Sequence, residues 1–198
     1  MDLKYELTDE MRDGLHRIRA LRDFGDVREG DLGGFVEGES NLSQDGDCWV
    51  YDNAKVFDRA IVYGNARIYE DAWVYDNARV YDDARIYGEA EIFGDAWVYD
   101  FAIIYDNVQV YGDALICGDA KVYGHAKIYG DVKVYENAQV HGDAEVFEDA
   151  EVYGDAEVYG NAKVYGDARV YAKANIYGEA IISGVQWIDY DVSGGIIK

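Results

Sequence analysis

The chain has 198 residues, no proline, two cysteines and a formal net charge of −22 at neutral pH. That length fits one domain, and so acidic a balance argues against direct binding to nucleic acid or to an anionic membrane, both of which need a basic surface. No apolar run approaches the ~18 residues of a bilayer span and no basic-then-apolar leader opens the sequence, so a soluble, cytoplasmic protein is expected.

Residues 1–47 carry no repeat and read as an N-terminal cap. Thr8-Asp-Glu-Met-Arg-Asp13 reads as the start of a short helical turn, with Thr8 or Asp9 as its N-cap. His16 to Arg22 alternates, with Ile18 and Ala20 on one side and Arg17 and Arg19 on the other, which reads as a strand. Gly30, Gly33, Gly34 and Gly38 mark turns. Six of the 18 Lys and Arg residues fall before residue 29. A charged cap of this kind suits the first rung of a stacked β-structure, whose open edge would otherwise invite aggregation.

From residue 48 a six-residue word takes over and runs without insertion or deletion to about Asp191. The word is small, variable, aliphatic, aromatic, Gly or acid, Asp or Asn. Valine or isoleucine recurs at 24 consecutive positions from Val50 to Ile188, and alanine stands two residues before it in 20 of them. A period of two points the alanine and the aliphatic residue inward and the variable residue between them outward. The following Gly or acid, then Asp or Asn, are turn formers. Three residues of strand and three of corner make one side of a prism. Three words therefore close an 18-residue coil, and coils stacked in parallel at ~4.8 Å pair their backbones.

This coil predicts which outward residues stack. Lys127, Glu145 and Lys163 fall in one column and Lys133, Glu151 and Arg169 in another, alternating in charge as cross-strand pairing favours. The expected fold is an all-β, single-stranded parallel β-helix: a triangular solenoid of about eight coils over residues 48–185. Residues 186–198, where the word decays at Ser183, Gln186, Trp187 and Asp189, read as a C-terminal cap. Cys48 takes a small inward slot and Cys117 an aromatic slot, so both are expected as free thiols.

These words resemble those of the hexapeptide-repeat proteins, whose triangular solenoid is a left-handed parallel β-helix. The variant Val-Tyr-Gly-Asp-Ala, with the opening Arg19-Ala-Leu-Arg-Asp-Phe-Gly-Asp26 and Gly30-Asp-Leu-Gly-Gly-Phe35, is similar to repeat proteins of bacteria and phages often labelled acyltransferases. The resemblance implies a left-handed coil. For the family's acyltransferases it also implies acetyl-CoA as cosubstrate, a histidine base and a homotrimer.

Of the three histidines, His16 lies in the cap. His125 and His141 are 16 residues apart and fall at one corner of adjacent coils, which makes them the candidates for a general base. Each also replaces an ordinary Asp or Tyr of the word. No loop interrupts the words to wall off a substrate, and no metal set or phosphate loop is legible, so a non-catalytic protein without cofactor is expected.

The outward slot, mostly charged, holds Trp49, Ile61, Trp73, Trp97, Ile103 and Leu115 in the first half, and Phe101 stands where Asp or Asn belongs. Clustered exposed apolar residues signal an interface. Trp73, Trp97, Phe101, Ile103 and Leu115 are the candidates, for another protein or for self-association. Acids replace the corner glycine at Asp52, Asp58, Glu70, Asp76, Asp82, Asp100 and Asp106. The words hold 27 acids and 11 bases on a rod of ~38 Å, against about 22 charges for duplex DNA of that length. A phage-type inhibitor or DNA-mimicking decoy is therefore one expected role; a hexapeptide-type acyltransferase using acetyl-CoA is the alternative.

Overall fold

The computed structural model describes residues 3–198. Each word folds as a short strand and a corner. Every third strand pairs in parallel with the one 18 residues on, as Trp97 with Leu115 and Val98 with Ile116. Repetition gives three parallel sheets, two of eight strands and one of twelve that includes the N-terminal hairpin. Each is named here by its first aliphatic residue in the words: the Val50, Val56 and Val62 faces. The only helix among the described residues is the 3-10 turn Glu39–Asn41.

Every inward residue from Cys48 to Ile182 is fully buried, so the core is a narrow column of alanine and aliphatic side chains. The expected charge columns form: Glu145 lies between Lys127 and Lys163, and Glu151 between Lys133 and Arg169. Lys163 reaches Glu145 at 3.1 Å, and Glu151 pairs with Lys133 at 3.6 Å and Arg169 at 3.5 Å. Such surface pairs are each worth about 0.2–1 kcal/mol.

The aromatic slot does more than the word suggested. Its rings stack coil on coil along the three corners, from Phe57 to Tyr165 on one corner and from Tyr87 to Tyr177 on another, where Tyr69 meets Tyr87 edge-on at 6.4 Å. A typical pair, Tyr111 on Tyr129, has centroids 5.0 Å apart and planes 3° from parallel. The third ladder is interrupted at Cys117, between Tyr99 and Tyr135. Both cysteines are free, as expected.

The N-terminal segment differs from its reading in two places, and the first word in one. Thr8 to Asp13 is no helical turn. Tyr5–Arg12 is a strand, antiparallel to Leu15–Ala20, which pairs in turn with Leu32–Val36. Tyr5 is buried and Leu7 packs on the core, so alternation and the open sheet edge outweigh the capping signal at Thr8. The Thr8 hydroxyl instead donates to the Arg17 carbonyl at 2.9 Å. Gly33 and Gly34 lie within the strand Leu32–Val36. A Cβ there would stand 2.6 Å from the Val50 carbonyl oxygen and 2.5 Å from that of Ala54, so these glycines admit close backbone approach. Trp49, in an outward slot, is buried beneath this cap, with Phe24 edge-on at 5.3 Å.

The strand Leu32–Val36 also begins the parallel stack, pairing with Lys55–Val56, and Ile196–Ile197 ends it on Ile181–Ile182. The first and last rungs thus come from the segments read as caps.

The core tolerates little extra volume at the small slot. Ala126→Leu, at a fully buried position, is expected to lower stability by about 1–3 kcal/mol, measured by urea unfolding, whereas Lys127→Leu beside it leaves the midpoint nearly unchanged.

Candidate functional site

The outward slot of a face and the last residue of the preceding corner form two parallel columns, with shallow troughs between them on the edge before the Val56 face, as at His125 and Lys127, and on the edge before the Val62 face, as at Asp95 and Trp97.

His125 and His141 do sit at one corner on adjacent coils, but in different columns. His141 is a rung of the ring ladder, stacked between Tyr123 at 4.5 Å and Tyr159 at 5.0 Å. Burial holds its imidazole below the ordinary 6.5, with Glu157 pulling the other way. His125 is exposed in the trough between the Val50 and Val56 faces, where it shares a depression of about 490 Å³ with Lys127, Asp143 and Glu145. An exposed imidazole beside two carboxylates and an ammonium can exchange protons, but here the depression is open to solvent.

Trp97 and Leu115 are stacked neighbours on the Val62 face. The indole lies over the Arg79 guanidinium at 5.0 Å and against the edge of Tyr81 at 6.3 Å. Asn77, Asp95 and Asp113 border the pair in a trough of about 700 Å³. Phe101, 60% exposed, stands at the next corner and Ile103 just beyond it on the Val50 face, so the patch wraps one edge of the prism. Trp73 is not part of it. It lies on the Val56 face, over the Lys55 ammonium at 4.8 Å.

The seven corner acids have a structural task that spacing alone did not reveal. All of them adopt left-handed backbone angles, from φ 50° at Asp52 to 65° at Asp106, a conformation disfavoured by roughly 1–2 kcal/mol for a residue with a Cβ. Six offset this by accepting a hydrogen bond from the corner amide one coil on. Asp52 accepts from Glu70, Asp58 from Asp76, Glu70 from Gly88, Asp76 from Gly94, Asp100 from Gly118 and Asp106 from Gly124, at 2.6–3.4 Å. Asp82 has the backbone angle alone. The signal that could have found this was in the sequence: the acids replace only the glycine that needs positive φ.

Asp100→Ala removes the acceptor for Gly118 and keeps the strained angle, while Asp100→Gly removes both the acceptor and the strain. Alanine is therefore expected to be the more destabilising, by about 1 kcal/mol, in thermal or urea unfolding. Equal effects of the two would show that the angle is not strained.

Two comparisons bear on this geometry. The repeat family described as the YdcK β-solenoid repeat matches residues 60–76 and 72–88. A protein of Escherichia coli (strain K12) named "Uncharacterized acetyltransferase YdcK" is 42% identical over 78 residues, covering 33% of this chain and 24% of that protein's length. With its six-residue words and 18-residue coils the chain is a parallel β-solenoid, and over the matched stretches it is similar to that repeat family and to this relative.

Proposed function

We propose that this chain is a non-catalytic binding protein that engages a protein partner through Trp97, Leu115, Phe101 and Ile103. The observation that carries the reading is the apolar edge itself: four positions in slots that the word mostly fills with charged or polar residues are here large and apolar, and Phe101 is 60% exposed. An exposed patch of this kind, rimmed by Asn77, Asp95 and Asp113, suits a partner that brings an apolar side chain flanked by basic ones. The net charge of −22 opposes docking of a second copy on the same surface and attracts a basic partner. A decoy for a DNA-binding protein is a narrower form of the same reading. It has less support, because six of the seven corner acids already hold a neighbouring amide.

A second reading, acetyl transfer from acetyl-CoA with His125 or His141 as base, rests on the printed name of the relative. His125 is its better candidate, since His141 is clamped between two rings.

The two readings separate experimentally. A host protein captured by the wild-type chain and then purified is expected to bind it in a salt-sensitive manner, with Trp97→Ala/Phe101→Ala weakening binding at least tenfold while the far-ultraviolet spectrum is unchanged. Equal binding by the double variant would sink the interface, and a salt-insensitive homotrimer in sedimentation would favour self-association. For acetyl transfer, millimolar acetyl-CoA should raise the melting temperature, and His125→Ala should remove turnover.

A further inference from the structure

The N-terminal cap closes over a pair of reactive side chains that neither partner binding nor acetyl transfer uses. Lys4 is the one fully buried charged side chain among the described residues, and Cys48, in the first coil, is fully buried against it. The Lys4 Nζ donates to the Cys48 carbonyl at 3.0 Å, to the Gly46 carbonyl at 3.3 Å and to the Cys48 Sγ at 3.2 Å. No carboxylate lies within ion-pair distance of it among the described residues. The Phe24 ring stands 5.2 Å from the same nitrogen.

A sealed ammonium without a carboxylate is costly, and giving up its proton relieves the cost. Burial accordingly lowers the pKa of Lys4, against the pull of Cys48 and Asp47, and pushes the Cys48 thiol up, against the pull of Lys4. The pair thus sets an amine that becomes neutral, and so nucleophilic, directly on a sulfur. The other neighbours of Sγ offer no rival. The carbonyl oxygens of Ser43, Asp45 and Val62, at 3.6–3.8 Å, are acceptors and not nucleophiles. The Trp49 amide, the usual ring-closing nitrogen for an oxidised cysteine at 48, is held by the Ala66 carbonyl at 3.1 Å. Access runs through the cap. Strand Tyr5–Arg12, which follows Lys4, is the outermost of its sheet, and such an edge opens at lower cost than the stacked coils.

We propose that Cys48 and Lys4 are a site of peroxide modification, joined by oxidation into a covalent clasp between the cap and the first coil. Hydrogen peroxide that reaches Cys48 during an opening of the edge strand converts its thiol to a sulfenic acid. The sulfur takes one peroxide oxygen and the other leaves as water. When the cap closes, the Lys4 amine attacks that sulfur. The S–N bond forms, the S–O bond breaks, and the hydroxyl leaves as water with a proton from the amine. The protein loses two hydrogens and the peroxide is reduced to two waters. In the closed cap the amine is already in contact with the sulfur, whereas a second peroxide needs a second opening, so the link forms ahead of further oxidation. A thiol reductant restores both groups and is itself oxidised to a disulfide.

Hydrogen peroxide treatment of the full chain carrying Cys117→Ser, followed by proteolysis and mass spectrometry, tests this. The fragment with Lys4 is expected joined to the fragment with Cys48, lighter than the two together by two hydrogens and separated by dithiothreitol. The oxidised chain should melt at a higher temperature than the reduced one, because the link holds the cap shut, and dithiothreitol should remove that shift. With Lys4→Met added, and the fold checked by circular dichroism, Cys48 should run on to sulfinic acid. Fragment mapping of the chain that keeps Lys4 decides the proposal by itself. A Cys48 that stays a thiol, closes on the Trp49 amide, or reaches sulfinic acid with Lys4 unmodified overturns it.

Discussion

The coil-to-coil register fixes almost everything else in this molecule. Each outward amide donates to a carbonyl of the next coil, as Trp97 to Ala114 at 2.9 Å, Tyr99 to Ile116 at 3.0 Å and Phe101 to Gly118 at 3.0 Å. Residues 18 apart must therefore stand one above the other at about the spacing of β-strands. Like stacks on like wherever the word repeats: alanine on alanine in the core, ring on ring at the corners, and carboxylate on carboxylate in the column of Asp95, Asp113, Asp131, Asp149 and Asp167. The first two arrangements stabilise the rod and the last opposes it. The bases of neighbouring columns, such as Lys133 and Arg169, offset part of that repulsion.

The corners show how the constraint is met chemically. A three-sided coil must reverse direction with few residues, and it does so through one left-handed residue per word. Glycine takes that angle without strain. An acid takes it with strain and recovers an amide hydrogen bond across the coil boundary. A large part of the acidity in the first half therefore belongs to the scaffold.

The periodic part of this architecture was legible in the sequence. The in–out alternation of Ala and Val, the coil length and the Lys127–Glu145–Lys163 column all follow from a period of six and the reach of a strand. The stacked rings were not foreseen, because a residue just past the strand could face outward or lie along the corner; only the coil geometry decides. The cap was least legible. Thr8-Asp9 looks like a helix start, and Gly33-Gly34 looks like a turn, until the edge of the first coil demands a partner strand and close approach. Trp49 reads as exposed because the word places it outward, and it is buried because the cap covers that side. Of the candidate sites, sequence spacing placed His125 and His141 on one corner and Trp97 on Leu115. It joined Trp73 to a patch on another face, and it gave no hint that the hairpin tip would bring Arg12 onto Asn53.

The central claim is that a coil is one interchangeable unit of 18 residues. Deleting residues 127–144 removes one coil and joins Ala126 to Glu145 in unbroken word order. Small-angle scattering with circular dichroism is the direct measurement. The account predicts a cooperatively folded β-protein whose rod is shorter by one rung, about 4.8 Å. An unfolded or aggregated chain, or a folded one of unchanged length, would contradict it.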